Sequence, residues 1–401
     1  MTETASRENN TSQLQKELNE VVDSSPIPSV GIVDVDETSD GIRRSLRIRT
    51  LKSVTGPYRA LKLSPHYYSD GRVSKVVEAQ RMSETYSRID SLGVQVLDDP
   101  ERFKDEHAEL KATLADQTSQ TDGFRIVNLH LTDEETDLLP NGNWVHEYVK
   151  LLKENKSNLL FCVPPPNVQT ADEVLQYQIA AMKANVQSQN PLHVAGIVPP
   201  ISAQESTKLI DCYLRAGINA IIYDFRGRRP NDSSLAHLAA LASTSETPPY
   251  IHGLHVNPNK KWKPYHSIQD LAMASFGIQS VSNLRRPAGG SGESSELNRR
   301  IKCVHGYYMP TIGQNHNHEF VCPHCNTSAI ESAIEEGVGA AIRRAGIAHN
   351  VNVSYQEFEK VKTKIKENSL KIYLKGKPGF NSMVDALAGF EKAVMRARGA
   401  L

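Results

Sequence analysis

The feature that most constrains the fold is a regular alternation of short β-rich runs with longer helical patterns, which starts near residue 124. Such alternation predicts parallel strands joined by right-handed helical crossovers. Six such units, with less regular ones between residues 46 and 123, predict an α/β fold, a (β/α)8 TIM barrel of about 250 residues. An open doubly wound sheet is the alternative, although no G-x-G-x-x-G follows any strand to support its dinucleotide-binding version. The predicted strands are 124–131, 159–163, 193–198, 220–225, 250–256 and 278–284.

Composition divides the chain into three segments. Residues 1–45 are rich in Ser, Thr, Asn, Asp and Glu, which is typical of a disordered tail. Residues 46–290 hold the predicted barrel, and a Gly- and Ser-rich linker then leads into residues 291–401, a predicted zinc-binding module with C-terminal helices. The basic run at 43–52 is interpreted either as a solvated edge strand or as an arm that contacts phosphate.

Charge and cysteine content restrict the partners and the cellular compartment of the protein. Lys and Arg number 46, as do Asp and Glu, so only local clustering can indicate an anionic partner. The five cysteines are too few and too unevenly spaced for a disulfide scaffold. The amino terminus is polar, and no run reaches the roughly 18 apolar residues that a membrane helix needs. These features predict a cytoplasmic protein that does not enter the membrane.

Cysteine and histidine residues concentrate near the carboxyl-terminal end, where a C-x-x-C is followed by a predicted helix at 329–345 that can return a histidine to the same metal. Thiolate and imidazole are the preferred ligands of Zn²⁺, and a closed structural site uses four of them. A redox C-x-x-C would instead follow a strand and open a helix, whereas this one follows a His-rich loop. The predicted ligands of one structural Zn²⁺ are Cys322, Cys325, His349 and, as the fourth, Cys303, with His318 as the alternative.

Basic residues cluster in three consecutive predicted loops that follow strands, on the face where barrel proteins carry their functional groups. The clustering indicates contacts with the phosphates of a nucleic acid, and an aromatic ring among them offers a surface on which a base could stack. An ordinary solvated surface is the alternative. The candidate binding residues are Arg226, Arg228, Arg229, Lys260, Lys261, Trp262, Arg285 and Arg286.

Several short sequences in the second half of the chain carry a family resemblance. They are GIV at 196–198, AGINA at 216–220, YIHGL at 250–254 and the spacing of Cys322, Cys325 and His349. Together they resemble the tRNA-guanine transglycosylases, zinc-containing βα barrels that exchange a guanine in RNA, or in DNA in one branch, for a 7-deazaguanine. The resemblance implies a structural zinc, tRNA or DNA as the partner, and a homodimer or a heterodimer with a related subunit.

The chain departs from the family pattern at four places. Phe320 stands at the position of a zinc-binding cysteine, and Pro199 stands at that of a glutamine. We find no Asp-Ser-Gly-Gly base-binding loop. The aspartate that attacks the ribose C1′ in this family falls in register with Ser282 and Asn283, which cannot supply the carboxylate that this covalent chemistry needs.

Asp224 is the candidate for the missing nucleophile, because it ends a predicted barrel strand beside the Arg-rich loop. The alternative is that Asp224 only forms a salt bridge with Arg226 or Arg228. The first functional hypothesis is therefore base exchange in tRNA or DNA. The second is a catalytically inactive paralogue that binds nucleic acid or partners an active subunit, and a third class is a barrel enzyme with a small anionic substrate.

Overall fold

The protein is a mixed α/β molecule in which the main sheets are parallel. No helix in the described part of the chain is long and apolar enough to cross a membrane. The computed structural model describes residues 2–24, 30–49, 54–59, 61–62, 75–76, 78–79, 82–118, 124–131, 142–155, 159–163, 167–187, 192–226, 228–230, 232–256, 268–283, 339–377 and 380–400.

The amino-terminal segment is folded, so the prediction of a disordered tail at residues 1–45 was wrong. Helix α1 (Thr2–Asp23) buries Leu14, Leu18 and Val21, and the hydroxyl of Thr11 donates to the carboxylate of Asp172 at 2.8 Å. The three apolar residues recur at a spacing of three or four, so they share one face of the helix. The polar composition concealed this narrow stripe, which is enough to dock the helix on the domain.

A three-stranded antiparallel sheet follows, made of β1 (Gly31–Glu37), β2 (Arg44–Arg49) and β3 (Val54–Thr55), with β2 in the centre. Arg43 is buried and pairs with Asp40 and Glu391, and Arg44 pairs with Glu37 at 3.1 Å. Both guanidinium groups are therefore paired with carboxylates. Neither interpretation of the basic run, a solvated edge strand or a phosphate-binding arm, describes these two arginines.

Ten further strands form two five-stranded sheets in which every neighbouring pair is parallel. The strands are β4 (Tyr58–Arg59), β5 (Leu61–Lys62), β6 (Met82–Ile89), β7 (Phe124–Leu131), β8 (Leu159–Cys162), β9 (His193–Val194), β10 (Gly196–Val198), β11 (Ala220–Asp224), β12 (Tyr250–Val256) and β13 (Ser280–Asn283). The first sheet has the order β5-β6-β7-β8-β9, and the second has the order β10-β11-β12-β13-β4. The predicted alternation of strands and helices with parallel pairing is thus confirmed.

The two parallel sheets adjoin each other along the chain and in space. Residue 60 alone separates β4 from β5, and Ala195 alone separates β9 from β10. The ring of Tyr250, in the second sheet, lies edge-on to that of Phe124, in the first, with 5.8 Å between the centroids. The Tyr250 hydroxyl also lies 3.8 Å from the sulfur of Met82. The two sheets therefore pack against each other through these side chains.

Helices connect the parallel strands and begin at residues that cap them. Thr170 and Glu173 form a capping box at the start of one helix, and Ser202 and Asp232 accept hydrogen bonds at the start of the next two. Gly196 lets the ring of Tyr213 approach its strand, since a Cβ there would lie 2.4 Å from that ring. The helices are α2 (Ser91–Asp98), α3 (Lys104–Thr118), α4 (Asn143–Asn155), α5 (Ala171–Val186), α6 (Ala203–Arg215), α7 (Ser233–Thr244) and α8 (Ile268–Ala272), which a 3₁₀ turn (Met273–Phe276) extends.

The carboxyl-terminal segment is helical, with α9 (Gly339–Lys366), α10 (Leu370–Lys375), a 3₁₀ turn (Phe380–Met383) and α11 (Val384–Ala400). Helix α9 contacts β1, β2 and β4, and α11 packs against α7. His349 lies inside α9, so the expectation that the helix ends at residue 345 and that His349 follows it was wrong. Gly346 directly follows residue 345 and is a usual signal for a helix end, but α9 continues through it to Lys366.

Candidate active site

Asp224 is the last residue of β11, and its side chain is fully buried. The Oδ1 atom accepts a hydrogen bond from the backbone N–H of Arg226 at 3.0 Å, and Oδ2 accepts one from Nε of Arg226 at 2.8 Å. The Nδ1 atom of His255 lies 3.0 Å from Oδ1. An ion pair with Arg226, one of the two partners considered from the sequence, is therefore present, and an imidazole that was not anticipated joins it.

The carboxylate of Asp224 is ionised despite its burial. Burial alone would raise the pKa of Asp224, but the hydrogen bond and charge of His255, together with those of Arg226, outweigh it and hold the pKa below its ordinary value of 3.8. An ionised carboxylate only accepts hydrogen bonds, so Nδ1 of His255 is the donor in their contact. The site thus holds a negative charge that three donors orient.

His255 reaches Asp224 because β12 is irregular near its end. Leu254 is in register with Asp224, so strict alternation along β12 would direct the side chain of His255 to the face of the sheet opposite Asp224. The pairing of β12 with β13 shifts between Gly253 and Val256, and His255 has a φ of 54°, in the left-handed region. A bulge of this kind re-aims a side chain, and backbone strain of about 1–3 kcal/mol in a non-glycine residue is typical of functional sites.

Polar side chains continue below this site on β12 and β13. His252 is buried, with Nδ1 2.7 Å from the hydroxyl oxygen of Ser280 and Nε2 3.4 Å from that of Ser282. The hydroxyl of Tyr250 also contacts that of Ser280. Burial, and to a lesser degree the nearby His255, lowers the pKa of His252 to about 3, so this imidazole is neutral at physiological pH. These buried side chains of β12 and β13 are therefore polar, and the imidazole of His252 carries no charge.

The predicted basic residues of the loop after β11 have different roles. The Nη2 atom of Arg228 donates to the carbonyl oxygens of Pro199 and Ile201 and to Oγ of Ser206, and its guanidinium lies 4.9 Å from the ring of Tyr223. Arg228 thus joins two loops and helix α6, and its predicted contact with phosphate stays a prediction. Arg229 is exposed, and the side chain of Arg226 is 38% exposed.

Most of the remaining predicted site residues lie outside the residues that the structure describes. They are Lys260, Lys261, Trp262, Arg285, Arg286, Cys303, His318, Cys322 and Cys325. Only the backbone of His349 is described, in α9. Among described side chains, no group of three or more His, Cys, Asp or Glu residues could hold a metal ion. The zinc site and two of the three basic loops therefore stay predictions.

Sequence reasoning missed His252, His255 and Asp90. Both histidines stand in the β12 sequence YIHGLHV, where polar residues in an otherwise apolar buried strand were a usable signal. Asp90 follows β6 and caps α2, where its carboxylate accepts from the backbone N–H of Gly93 at 2.9 Å. The sequence Asp90-Ser91-Leu92-Gly93 differs from Asp-Ser-Gly-Gly at one position.

Comparison of the chain with models of protein families and with curated proteins found no match. The site must therefore be interpreted from its own geometry. An ionised carboxylate at the carboxyl end of a parallel strand, oriented by an imidazole and a guanidinium, can act as a nucleophile or can stabilise a developing positive charge.

Proposed function

We propose that this chain is a tRNA-guanine transglycosylase-like enzyme, a pentosyltransferase that exchanges guanine in tRNA or DNA for a 7-deazaguanine, with Asp224 as its nucleophile. The observation that carries the proposal is the ionised, oriented carboxylate of Asp224 at the carboxyl end of β11. Nucleophilic attack on a sugar C1′ needs a carboxylate in this protonation state.

The proposal includes one closed (β/α)8 barrel built from the two parallel sheets. Single-residue separations between β4 and β5 and between β9 and β10 support it, as do the contacts of Tyr250 with Phe124 and Met82. Adding β4 to β5 and β9 to β10 gives eight strands, which a closed barrel of this type requires. In such a barrel, Asp90, Asp224 and His255 would all stand on the face that carries catalytic groups.

The reaction would proceed in two displacements. A carboxylate oxygen of Asp224 bonds to C1′ of the nucleotide while the bond between C1′ and N9 breaks, and guanine leaves with the electron pair and takes up a proton. The N9 atom of the incoming base then bonds to C1′ and loses its proton. At the same time the bond between C1′ and the Asp224 oxygen breaks, and its electron pair returns to the carboxylate. The cap and first turn of α2, Asp90-Ser91-Leu92-Gly93, would contact the base, since they follow the end of a parallel strand and expose both Asp90 and Leu92.

The nucleic acid would be held by basic residues at the same face. Arg226 and Arg229 are exposed to different extents in the loop after β11, and the predicted residues Lys260, Lys261, Trp262, Arg285 and Arg286 would extend this surface. A homodimer, or a heterodimer with a related subunit, remains part of the proposal through the family resemblance. A cytoplasmic location also remains part of it, because the few, unevenly spaced cysteines are typical of a reducing compartment.

A second candidate function is supported by the enclosure of Asp224. Its side chain has no exposed area, and both of its oxygens accept hydrogen bonds. Ser282 stands where the family has its nucleophile, and it contacts His252 instead. These observations favour an inactive paralogue that binds nucleic acid or partners an active subunit, and base exchange must be measured to separate the two.

The test is incorporation of radiolabelled guanine, and of a labelled 7-deazaguanine, into tRNA and into duplex DNA by the purified protein. We expect the label to enter one of the two polymers and to be displaced by excess unlabelled base. A matched reaction with Asp211→Asn, which removes an acidic residue paired with His237 on α7, should incorporate label at the wild-type rate. Retention of tRNA or DNA on a filter without any incorporation would instead establish the binding paralogue.

We further propose that one Zn²⁺ is bound by Cys322, Cys325, His349 and Cys303. Elemental analysis of the purified protein should find about one zinc per chain, and Cys322→Ser or Cys325→Ser should remove it, because a structural site needs all four ligands. Cys212→Ser is the matched control, since Cys212 is a buried free thiol in α6. Full zinc content in Cys303→Ser, with loss in His318→Ala, would assign the fourth position to the histidine.

A further inference from the structure

Arg226 is placed to serve two anions. Its Nε donates to Oδ2 of Asp224 at 2.8 Å, and its side chain is 38% exposed, whereas Asp224 is fully buried. A guanidinium carries five N–H donors in a planar fork. Within the part of the chain that the structure describes, only the Nε donor has a hydrogen-bond partner.

We propose that Arg226 is a positioning residue that covers Oδ2 of Asp224 in the free protein and moves to a backbone phosphate when a nucleic acid binds. The inference rests on the proposed function and deepens it, because it explains how an enclosed carboxylate becomes able to react. Contact with the phosphodiester backbone, rather than with the base, would thus uncover Asp224.

The geometry lets the carboxylate keep its orientation during this exchange. When the guanidinium leaves Oδ2, Oδ1 keeps two donors, the backbone N–H of Arg226 and Nδ1 of His255, at 3.0 Å each. These two contacts hold the orientation of the carboxyl group while its second oxygen is uncovered. Carboxylate and phosphate both form strong charge-assisted hydrogen bonds with a guanidinium, so the two sites can compete for it.

The neighbouring arginine shows why this role falls to Arg226. Arg228 is fixed by two backbone carbonyl oxygens, by Ser206 and by the ring of Tyr223, so its movement would break all of these contacts. The side-chain hydrogen bond of Arg226 goes to Asp224 alone among the residues described here. Release of that one contact is sufficient to free its guanidinium.

The experiment measures binding of fluorescently labelled tRNA and duplex DNA by anisotropy between 50 and 200 mM salt, an interval over which phosphate contacts respond strongly. The proteins are the wild type, Arg226→Ala, Asp224→Asn, the double variant and Arg215→Ala. Arg215 is exposed in the last turn of α6, before β11 begins, so its variant controls for the loss of one positive charge away from the site.

For the polymer that the wild type binds, Arg226→Ala should lower the slope of log K against log salt concentration by about one, whereas Arg215→Ala should leave the slope unchanged. Asp224→Asn should tighten binding severalfold because it releases Arg226. In the Arg226→Ala background the same substitution should have a clearly smaller effect, and this difference measures the coupling of the two residues.

An unchanged slope in Arg226→Ala, or an equal effect of Asp224→Asn in both backgrounds, would leave Arg226 as a structural ion pair and overturn the inference. Failure of the wild type to bind either polymer would overturn it as well. Binding with the predicted coupling but without guanine incorporation would overturn the proposed reaction. It would still support the movement of Arg226 from Asp224 to a backbone phosphate.

Discussion

Asp224→Asn is expected to abolish guanine incorporation, with kcat and kcat/KM falling together by at least about 10⁴-fold, the scale seen when a catalytic nucleophile is removed. Asparagine has nearly the same size and can still accept the hydrogen bonds to Oδ1 from Arg226 and His255. It cannot form the ester with C1′, so the loss would arise from chemistry rather than from unfolding. Steady-state incorporation of labelled guanine measures the effect.

Two controls separate this effect from damage to the fold. Thermal unfolding of Asp224→Asn should remain cooperative, and its affinity for the polymer should increase severalfold, as the release of Arg226 predicts. His255 and Arg226 hold the pKa of Asp224 in the free protein below its ordinary value of 3.8, so kcat/KM of the wild type should show no loss from protonation of this carboxylate above about pH 4. Wild-type incorporation rates in Asp224→Asn would remove Asp224 from the mechanism.

Glu357→Ala is expected to be the most destabilising substitution in the carboxyl-terminal helices. The carboxylate of Glu357 is fully buried in α9, where it accepts hydrogen bonds from Lys360 and Lys377 at 2.7 Å each and from the hydroxyl of Tyr373 at 2.5 Å. Lys377 is also nearly buried, at 7% exposure of its side chain. Removing the carboxylate leaves this ammonium without its charge partner, a loss of about 3–5 kcal/mol in the free energy of unfolding. Urea unfolding measures it.

The double variant Glu357→Ala with Lys377→Met tests the cause of that loss. Removing the uncompensated ammonium should recover much of the stability, since the cost lies in the unpaired buried charge. Glu367→Ala, in an exposed pair with Lys364, is the matched control and should leave unfolding unchanged. No recovery in the double variant would show that packing around Glu357, rather than charge, supplies the stability.

The contribution of Glu357 should also depend on pH in a defined direction. Burial would raise the pKa of Glu357, but its hydrogen bonds from Lys360, Lys377 and Tyr373 outweigh burial and hold the pKa below its ordinary value of 4.5. A carboxyl group with a lowered pKa in the folded state stabilises the fold above the unfolded pKa and loses this effect as the pH falls through the folded value. The stability difference between the wild type and Glu357→Ala should therefore be constant above about pH 5 and shrink below it.

The class of fold could be predicted because parallel α/β proteins repeat one signal many times. Each buried strand is a short apolar run, each helix begins with a cap such as Thr170 or Ser202, and the order of pairing follows the order of the chain. The helix α1 escaped prediction because its buried stripe consists of only Leu14, Leu18 and Val21 in a polar sequence. Composition averages over such a stripe, whereas docking depends on it.

The candidate site could be predicted only where chain order places residues together. Asp224 and Arg226 are two residues apart, so their ion pair could be anticipated from the sequence. The contact with His255 depends on an irregular register and a positive φ in β12, and a strict alternation of side chains predicts the opposite face. For Arg228, the Arg-rich sequence of the loop suggested a free basic side chain. The guanidinium instead donates to the backbone of the neighbouring loop, a contact that the sequence does not indicate.

The most direct test of the central claim, that Asp224 is the nucleophile, is to trap its covalent intermediate. Protein and labelled polymer are mixed without any incoming base, denatured, and separated on a denaturing gel, and the labelled peptide is identified by mass spectrometry. We expect an adduct at Asp224 that disappears when guanine is added before denaturation and that never forms in Asp224→Asn. Guanine incorporation without an adduct, or with an adduct at Ser282, would contradict it.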